Sequence, residues 1–315
     1  MRMCNKALLA LACTAALSAC DGEKAANSIA KRLPLDLPEV GVHEANLLGR
    51  DKDGAPLKMI AGAEGFALVY PERNKEQRWG VWAEMEKNDT ASQWLGKTGK
   101  DADKDGIYPI SVIRDSERGL THSGSSESNY HLISFKEQEV VNLKGQTEKL
   151  RAFDFATNGL KFGDNTEIFA GWRGQISTRK LASLSIENGA RWNEADYKGE
   201  TDAMVGDIKT SNNSGALTVE IQFPYHGCTL VGTGTASAGL SALTFTGFAD
   251  PKCNFNREMV GAGYIADKWL KGLKAAKNGE IAYSTVIKHP QTSKETLVIG
   301  FPEMNGFVLM ADKQP

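Results

Sequence analysis

The sequence predicts an all-β protein. Three observations carry that expectation: short apolar or alternating runs, frequent turn dipeptides between them, and 32 glycines in 315 residues. Half-buried antiparallel strands alternate with period two and are bounded by Gly, Asn, Asp or Pro. Glycine serves the turns, bulges and barrel corners of such folds. The expected architecture is an N-terminal β-sandwich-like domain with long loops, residues 46–189, followed by a small C-terminal antiparallel β-barrel, residues 190–315.

The chain opens with Arg2 and Lys6, an apolar run from Ala7 to Leu17, and then Leu17-Ser18-Ala19-Cys20. A cationic start, a short apolar segment and small residues before a cleavage point make an export signal, too short for a spanning helix. Residues 1–19 are therefore expected to be removed. Asp21 to Leu33 is small, polar and charged, and Pro34 and Pro38 follow, so residues 20–45 read as the new N-terminus and a flexible tether.

Strands are predicted over Gly65–Tyr70, Gly80–Ala83, Ile107–Ile113, Tyr130–Phe135 and Leu150–Phe155. Asp53-Gly54, Asp105-Gly106, Asn158-Gly159, Asn188-Gly189, Asn278-Gly279 and Asn305-Gly306 match the dipeptides of tight hairpins. Between Glu86 and Asn129 only Ile107–Ile113 reads as a strand; the rest is polar and charged, as recognition loops are. One helix is expected over Ile265–Lys277, with Ile265, Trp269, Leu270 and Leu273 on one face and Lys268, Lys271, Lys274 and Lys277 as a solvated face.

A formal net charge of -2, with 41% hydrophobic and 24% charged residues, fits a globular protein and argues against nucleic acid as a partner, which needs clustered Lys and Arg. Two cysteines remain beyond Cys20, namely Cys228 and Cys253, and an even pair in an exported chain is expected to form a disulfide. Asp101-Ala102-Asp103-Lys104-Asp105-Gly106 matches the first half of a calcium loop, yet its twelfth position is Val112, so it reads as a solvated acidic turn. No metal and no cofactor is expected.

The histidines His43, His122, His131, His226 and His289 form no metal-ligand or nucleophile spacing, and no catalytic motif is present. They read as structural or surface residues. His122 with His131, or Tyr225-His226, remain the alternative as haem-iron ligands. Of the aromatic residues Trp79, Trp82, Trp94, Tyr108, Tyr130, Trp172, Trp192 and Trp269, most are expected in the core. Trp94, Tyr108, His122 and Tyr130 are the candidates for ligand contact, because interface energy concentrates in such side chains.

Leu17-Ser18-Ala19-Cys20 resembles the lipobox of bacterial lipoproteins, which implies that Cys20 carries lipid. Ala195-Asp196-Tyr197-Lys198-Gly199, the alternating run Gly215–Phe223, the run Leu240–Phe248 and Val260-Gly261-Ala262-Gly263-Tyr264 together resemble the C-terminal barrel of the neisserial surface lipoproteins that include transferrin-binding protein B. The poly-glycine tract common after the acylated cysteine of that group is replaced by Asp21-Gly22-Glu23-Lys24. The resemblance implies a non-enzymatic outer-membrane co-receptor, lipid-anchored at the cell surface. It would bind host haemoglobin, alone or with haptoglobin, and present it to a TonB-dependent transporter for haem-iron uptake. The alternative is a structural or assembly lipoprotein of the periplasmic face, for which Asp21 is the hint.

Overall fold

The computed structural model describes residues 39–50, 64–85, 90–98, 108–114, 126–141, 146–162, 166–194, 204–257, 264–289 and 293–315. About two thirds of these residues form antiparallel strands. The first set is β1 (Gly41–Arg50), β2 (Glu64–Val69), β3 (Gln77–Met85), β4 (Thr90–Thr98), β5 (Tyr108–Arg114), β6 (Ser126–Val141), β7 (Thr147–Phe162) and β8 (Thr166–Lys180). Each pairs with the next, and β8 returns to pair with β1, so the sandwich-like half closes into an eight-stranded barrel. Closure removes the free edges that an open antiparallel sheet would present.

The second set is β9 (Ser183–Leu184), β10 (Arg191–Glu194), β11 (Ile208–Asn213), β12 (Ala216–Phe223), β13 (Cys228–Thr235), β14 (Ser241–Thr246), β15 (Glu280–Lys288), β16 (Glu295–Phe301) and β17 (Phe307–Lys313). Sequential pairing from β10 to β17, with β17 returning to β10, gives the expected C-terminal antiparallel barrel, again of eight strands. The short β9 pairs with β15 beyond the end of β14. Inside, Leu217, Val219, Ile221 and Phe223 alternate with half-exposed residues along β12, as a half-buried strand requires. Phe223, Phe245, Phe301 and Phe307 fill the centre, with Phe245 and Phe301 rings 4.9 Å apart and Phe301 and Phe307 stacked at 5.4 Å. Gly232 is glycine for that reason: a Cβ there would lie 2.5 Å from the Phe245 ring. The interior is packed with side chains and leaves the barrel a core, not a channel.

Several local expectations are corrected. β1 begins at Gly41 with Val42 and His43 buried, so the tether ends earlier than residue 45. Thr90–Thr98 is a strand in a stretch read as loop; its polar residues gain order from pairing with β3 on one side and β5 on the other. Asn158-Gly159 is not a turn, because the long β7 runs through it and Asn158 pairs with Gly171. Asn305-Gly306 does turn, with both residues at positive φ between β16 and β17. Ser214-Gly215 does the same between β11 and β12, where the sequence gives the weaker Ser-Gly signal. Asp53-Gly54, Asp105-Gly106 and the rest of the Asp101–Gly106 motif lie outside the described residues, as do residues 1–38.

The helix α1 spans Tyr264–Ala275 and buries Trp269, Leu270 and Leu273, as its apolar spacing requires. Tyr264, expected to end a glycine-rich strand, instead opens this helix, and Val260–Gly263 lie outside the described residues. Trp269 packs 5.1 Å from Phe307 of the second barrel and 5.5 Å from Trp82 of the first.

The two barrels share an apolar interface. Strands β15, β16 and β17 face their own core with one set of side chains and turn Ile287, Val298 and Val308 toward Val42, Phe66, Leu68 and Tyr70 of β1 and β2 and the residue that follows. This is why β16 is buried on both faces and reads as a continuous apolar run.

Candidate functional site

Of the four residues expected to make ligand contacts, Trp94, Tyr108 and Tyr130 lie in strands rather than on loops. Trp94 sits in the middle of β4, paired with Val81 of β3 and Val112 of β5. Tyr108 and Tyr130 are direct register partners across β5 and β6, and the row continues through Thr157 to Trp172. The side chains of Trp94, Tyr108, Tyr130 and Trp172 lie outside the described residues, as does His122 entirely. His131 pairs with Ala156 and is likewise described by its backbone alone. Trp79, Trp82, Trp192 and Trp269 are core residues, at most 5% exposed.

The most organised polar site among the described residues is the corner between β12 and β13. The alternation of β12 ends at Phe223; Pro224 opens a single 3-10 turn, Pro224–His226, and Gly227 at φ 66° reverses the chain into β13. Cys228, the first residue of β13, is bonded to Cys253 with an S–S distance of 2.02 Å, the disulfide the sequence predicts. That bond holds a strap, residues 250–257, across the corner. The Asn254 amide donates to His226 O at 2.8 Å, and His226 Nδ1 donates back to Asn254 O at 3.1 Å. The Arg257 guanidinium lies 4.0 Å above the Tyr225 ring and donates to Tyr225 O at 3.1 Å.

A carbonyl only accepts, so the proton of a neutral His226 sits on Nδ1 and the lone pair on Nε2. Nε2 is buried without a hydrogen-bond partner, and the ring lies between Tyr225 and Phe255 at 5.2 and 5.3 Å. Burial, and to a lesser degree the Arg257 charge, hold the imidazole below its ordinary pKa of 6.5. At 2% exposure the ring is shut away from any external substrate, which answers the haem-ligand alternative for Tyr225-His226 with a structural role. Sequence reasoning noted His226 and the cysteines but missed Asn254, Phe255 and Arg257. Their nearness to Cys253 in sequence was the available signal.

A second polar cluster marks the junction of the barrels. Arg78 Nε lies 2.8 Å from Glu303, and the buried Tyr70 ring packs 5.6 Å from Tyr283. His289 meets Phe66 edge-on at 5.4 Å, and burial lowers its pKa. His43 donates from Nε2 to Glu39 O at 2.6 Å, and burial is again the main cause of its lowered pKa. Among the described residues no group of three His, Cys, Asp or Glu side chains is placed to hold a metal ion. No described helix is long and apolar enough to cross a membrane.

No protein-family model and no curated protein matches the chain. Among solved structures it is similar to Aeromonas veronii immune modulator A, with 42% sequence identity, a TM-score of 0.71, and coverage of 93% of this chain and 100% of that one.

Proposed function

The chain belongs to the family of Aeromonas veronii immune modulator A, and from that premise we propose that it is an exported protein that modulates a host immune response by binding. The observation that carries this reading is the extent of the likeness. Identity of 42% over 93% of the chain takes in both barrels and the junction between them, so the whole molecule, not one module, is the shared unit. A binding role is supported by where the titratable groups go: His43, His226 and Tyr70 are each buried, spent on the scaffold rather than offered to a substrate. Cys20 is the proposed lipid anchor, at the outer face of the outer membrane. Two or more acyl chains at about 0.8 kcal/mol per buried methylene hold a domain at a membrane.

The test applies the folded protein, residues 21–315, to host leukocytes challenged with bacterial envelope material and reads cytokine output. A dose-dependent change, lost on heat denaturation, is expected. Unchanged output at micromolar protein overturns the reading.

The C-terminal eight-stranded antiparallel barrel favours a second reading, that of a haemoglobin co-receptor of the type of haemoglobin-haptoglobin utilisation protein A, acting with a TonB-dependent transporter. The solved structure matched by this chain bears a different name, so this reading rests on the sequence resemblance and that barrel. Retention of haemoglobin, or of haemoglobin with haptoglobin, on the immobilised protein tests it. Protease shaving of intact cells separates both readings from a periplasmic assembly role, since a protein on the inner face is protected.

A further inference from the structure

We propose that His226 and the Cys228–Cys253 strap form an acid-sensitive latch, which holds residues 250–257 closed at neutral pH and lets them open locally when the surroundings acidify. The inference stands apart from the functional reading above. In the closed strap His226 and Asn254 make a two-way exchange, Asn254 N–H to His226 O at 2.8 Å and His226 Nδ1–H to Asn254 O at 3.1 Å, beside the Arg257 contact with Tyr225 and the packing of Phe255 on Phe223. The other ring nitrogen has no partner and no route to water, at 2% exposure. A proton on Nε2 would create a cation there with an unmet donor, between two aromatic rings. Opening the strap hydrates that nitrogen.

Among the described residues the strap carries Asp250, Lys252 and Arg257, while Asp207, whose carbonyl accepts from the Gln222 amide, lies at the end of β12. Asp250 uses Oδ1 to accept from the Lys252 amide, and Lys252 presents its carbonyl to Gly227, where a Cβ would come within 2.9 Å. Arg257, seated over Tyr225, is the one whose charge acts on the imidazole, and it opposes a second positive charge. No carboxylate therefore offsets the incoming proton among the described residues.

Two features make the opening local. The disulfide ties the strap to the start of β13, so the strap can lift without leaving. Beyond Arg257 the chain leads to α1, whose Trp269 and Leu273 are packed into the barrel core, so that end is held as well. A loosened strap would expose Phe255 and the outer edge of the Phe223 cluster, an apolar surface absent at neutral pH.

The test is native-state hydrogen exchange on the intact protein at pH 7.5 and 5.0, expressed as protection factors so that intrinsic exchange rates cancel. The amides of Cys253, Asn254 and Arg257, which donate to Asp250, His226 and Asn254, are the reporters. If the open form titrates at the ordinary 6.5 and the closed ring stays neutral, the open population gains at most about thirtyfold at pH 5.0, while amides of β2 and β3 keep their protection relative to one another. His226→Phe fills the aromatic site without a titrating group and is expected to abolish the pH difference at Asn254. Equal Asn254 protection at both pH values in the natural protein, or the same pH difference surviving in His226→Phe, overturns the latch. Should that variant not fold, the ring resonances of His226 in the natural protein decide: titration of the ring with no accompanying shift of the Asn254 amide overturns it too.

Discussion

At the scale of single residues, the junction between the barrels turns on an absent side chain. A Cβ on Gly300 would lie 2.3 Å from the Tyr70 hydroxyl oxygen and 3.0 Å from two of its ring carbons. Tyr70 is 3% exposed, with its phenol pushed to a higher pKa by burial and then by Tyr283, so it has nowhere to retreat. Gly300→Ala should therefore cost about 1–3 kcal/mol in urea unfolding, the usual penalty of overpacking. Tyr70→Phe removes the nearest atom but leaves the ring, so in that background the same alanine should cost less without becoming neutral. Equal costs in both backgrounds would place the clash elsewhere. Protonation acts at the same scale. His43, His226 and His289 all have pKa values below the ordinary 6.5, each with burial as the first cause. Below pH 6.5 the unfolded chain binds protons that the folded chain resists. Stability is then full above about pH 7, falls as pH drops through 6.5, and levels off below the folded values. A urea midpoint lower at pH 5.0 than at 7.5 is expected; a higher one would contradict the burial assigned to these rings.

At the scale of elements, the disulfide and the helix carry the clearest consequences. Cys228 and Cys253 are 25 residues apart, and in the chain-entropy model closing a loop of that size is worth about 3 to 4 kcal/mol. Cys228→Ser with Cys253→Ser should lower the unfolding free energy by about that much. Trp269 touches both Trp82 and Phe307, so Trp269→Ala should cost about 3–5 kcal/mol, more than an alanine at exposed Lys271, which serves as the control. These elements also mark how far the sequence could be read. Helix α1 was legible because Trp269, Leu270 and Leu273 recur at helical spacing, and β12 because Leu217, Val219, Ile221 and Phe223 alternate. Strand β4 was not, since Thr90, Ser92 and Gln93 earn their strand by pairing with β3 and β5, a long-range fact with no local signature. Asn158-Gly159 failed for the converse reason: a strong local turn signal is overridden by pairing with β8, where Asn158 faces Gly171 and Leu160 faces Phe169. At the disulfide corner the cysteines and His226 could be named in advance, but not the exchange of hydrogen bonds with Asn254, which exists only once the strap is folded back.

At the scale of the whole molecule, the question is whether two closed barrels behave as two bodies or one. Closed barrels have no free edges to share, so coupling must come through faces. The faces here are apolar: Ile287, Val298 and Val308 of the second barrel are at most 4% exposed only because Val42, Phe66, Leu68 and Tyr70 cover them. Each such side chain is worth about 1.5–3 kcal/mol when buried, so uncovering three of them removes roughly 5 kcal/mol or more from the second barrel. A typical domain has only about 5–15 kcal/mol in total. Trp82, which lies against Trp269 of the helix, adds to the loss, and the Arg78–Glu303 pair, partly exposed, adds little. Residues 181–315 produced alone should therefore unfold at a much lower urea concentration than in the full chain and associate through the uncovered face. The full chain should unfold in one transition, with far-ultraviolet dichroism and tryptophan fluorescence superimposing. If the isolated segment keeps the midpoint of the full protein, the interface contributes no stability, and each barrel must be treated as an independent carrier of function.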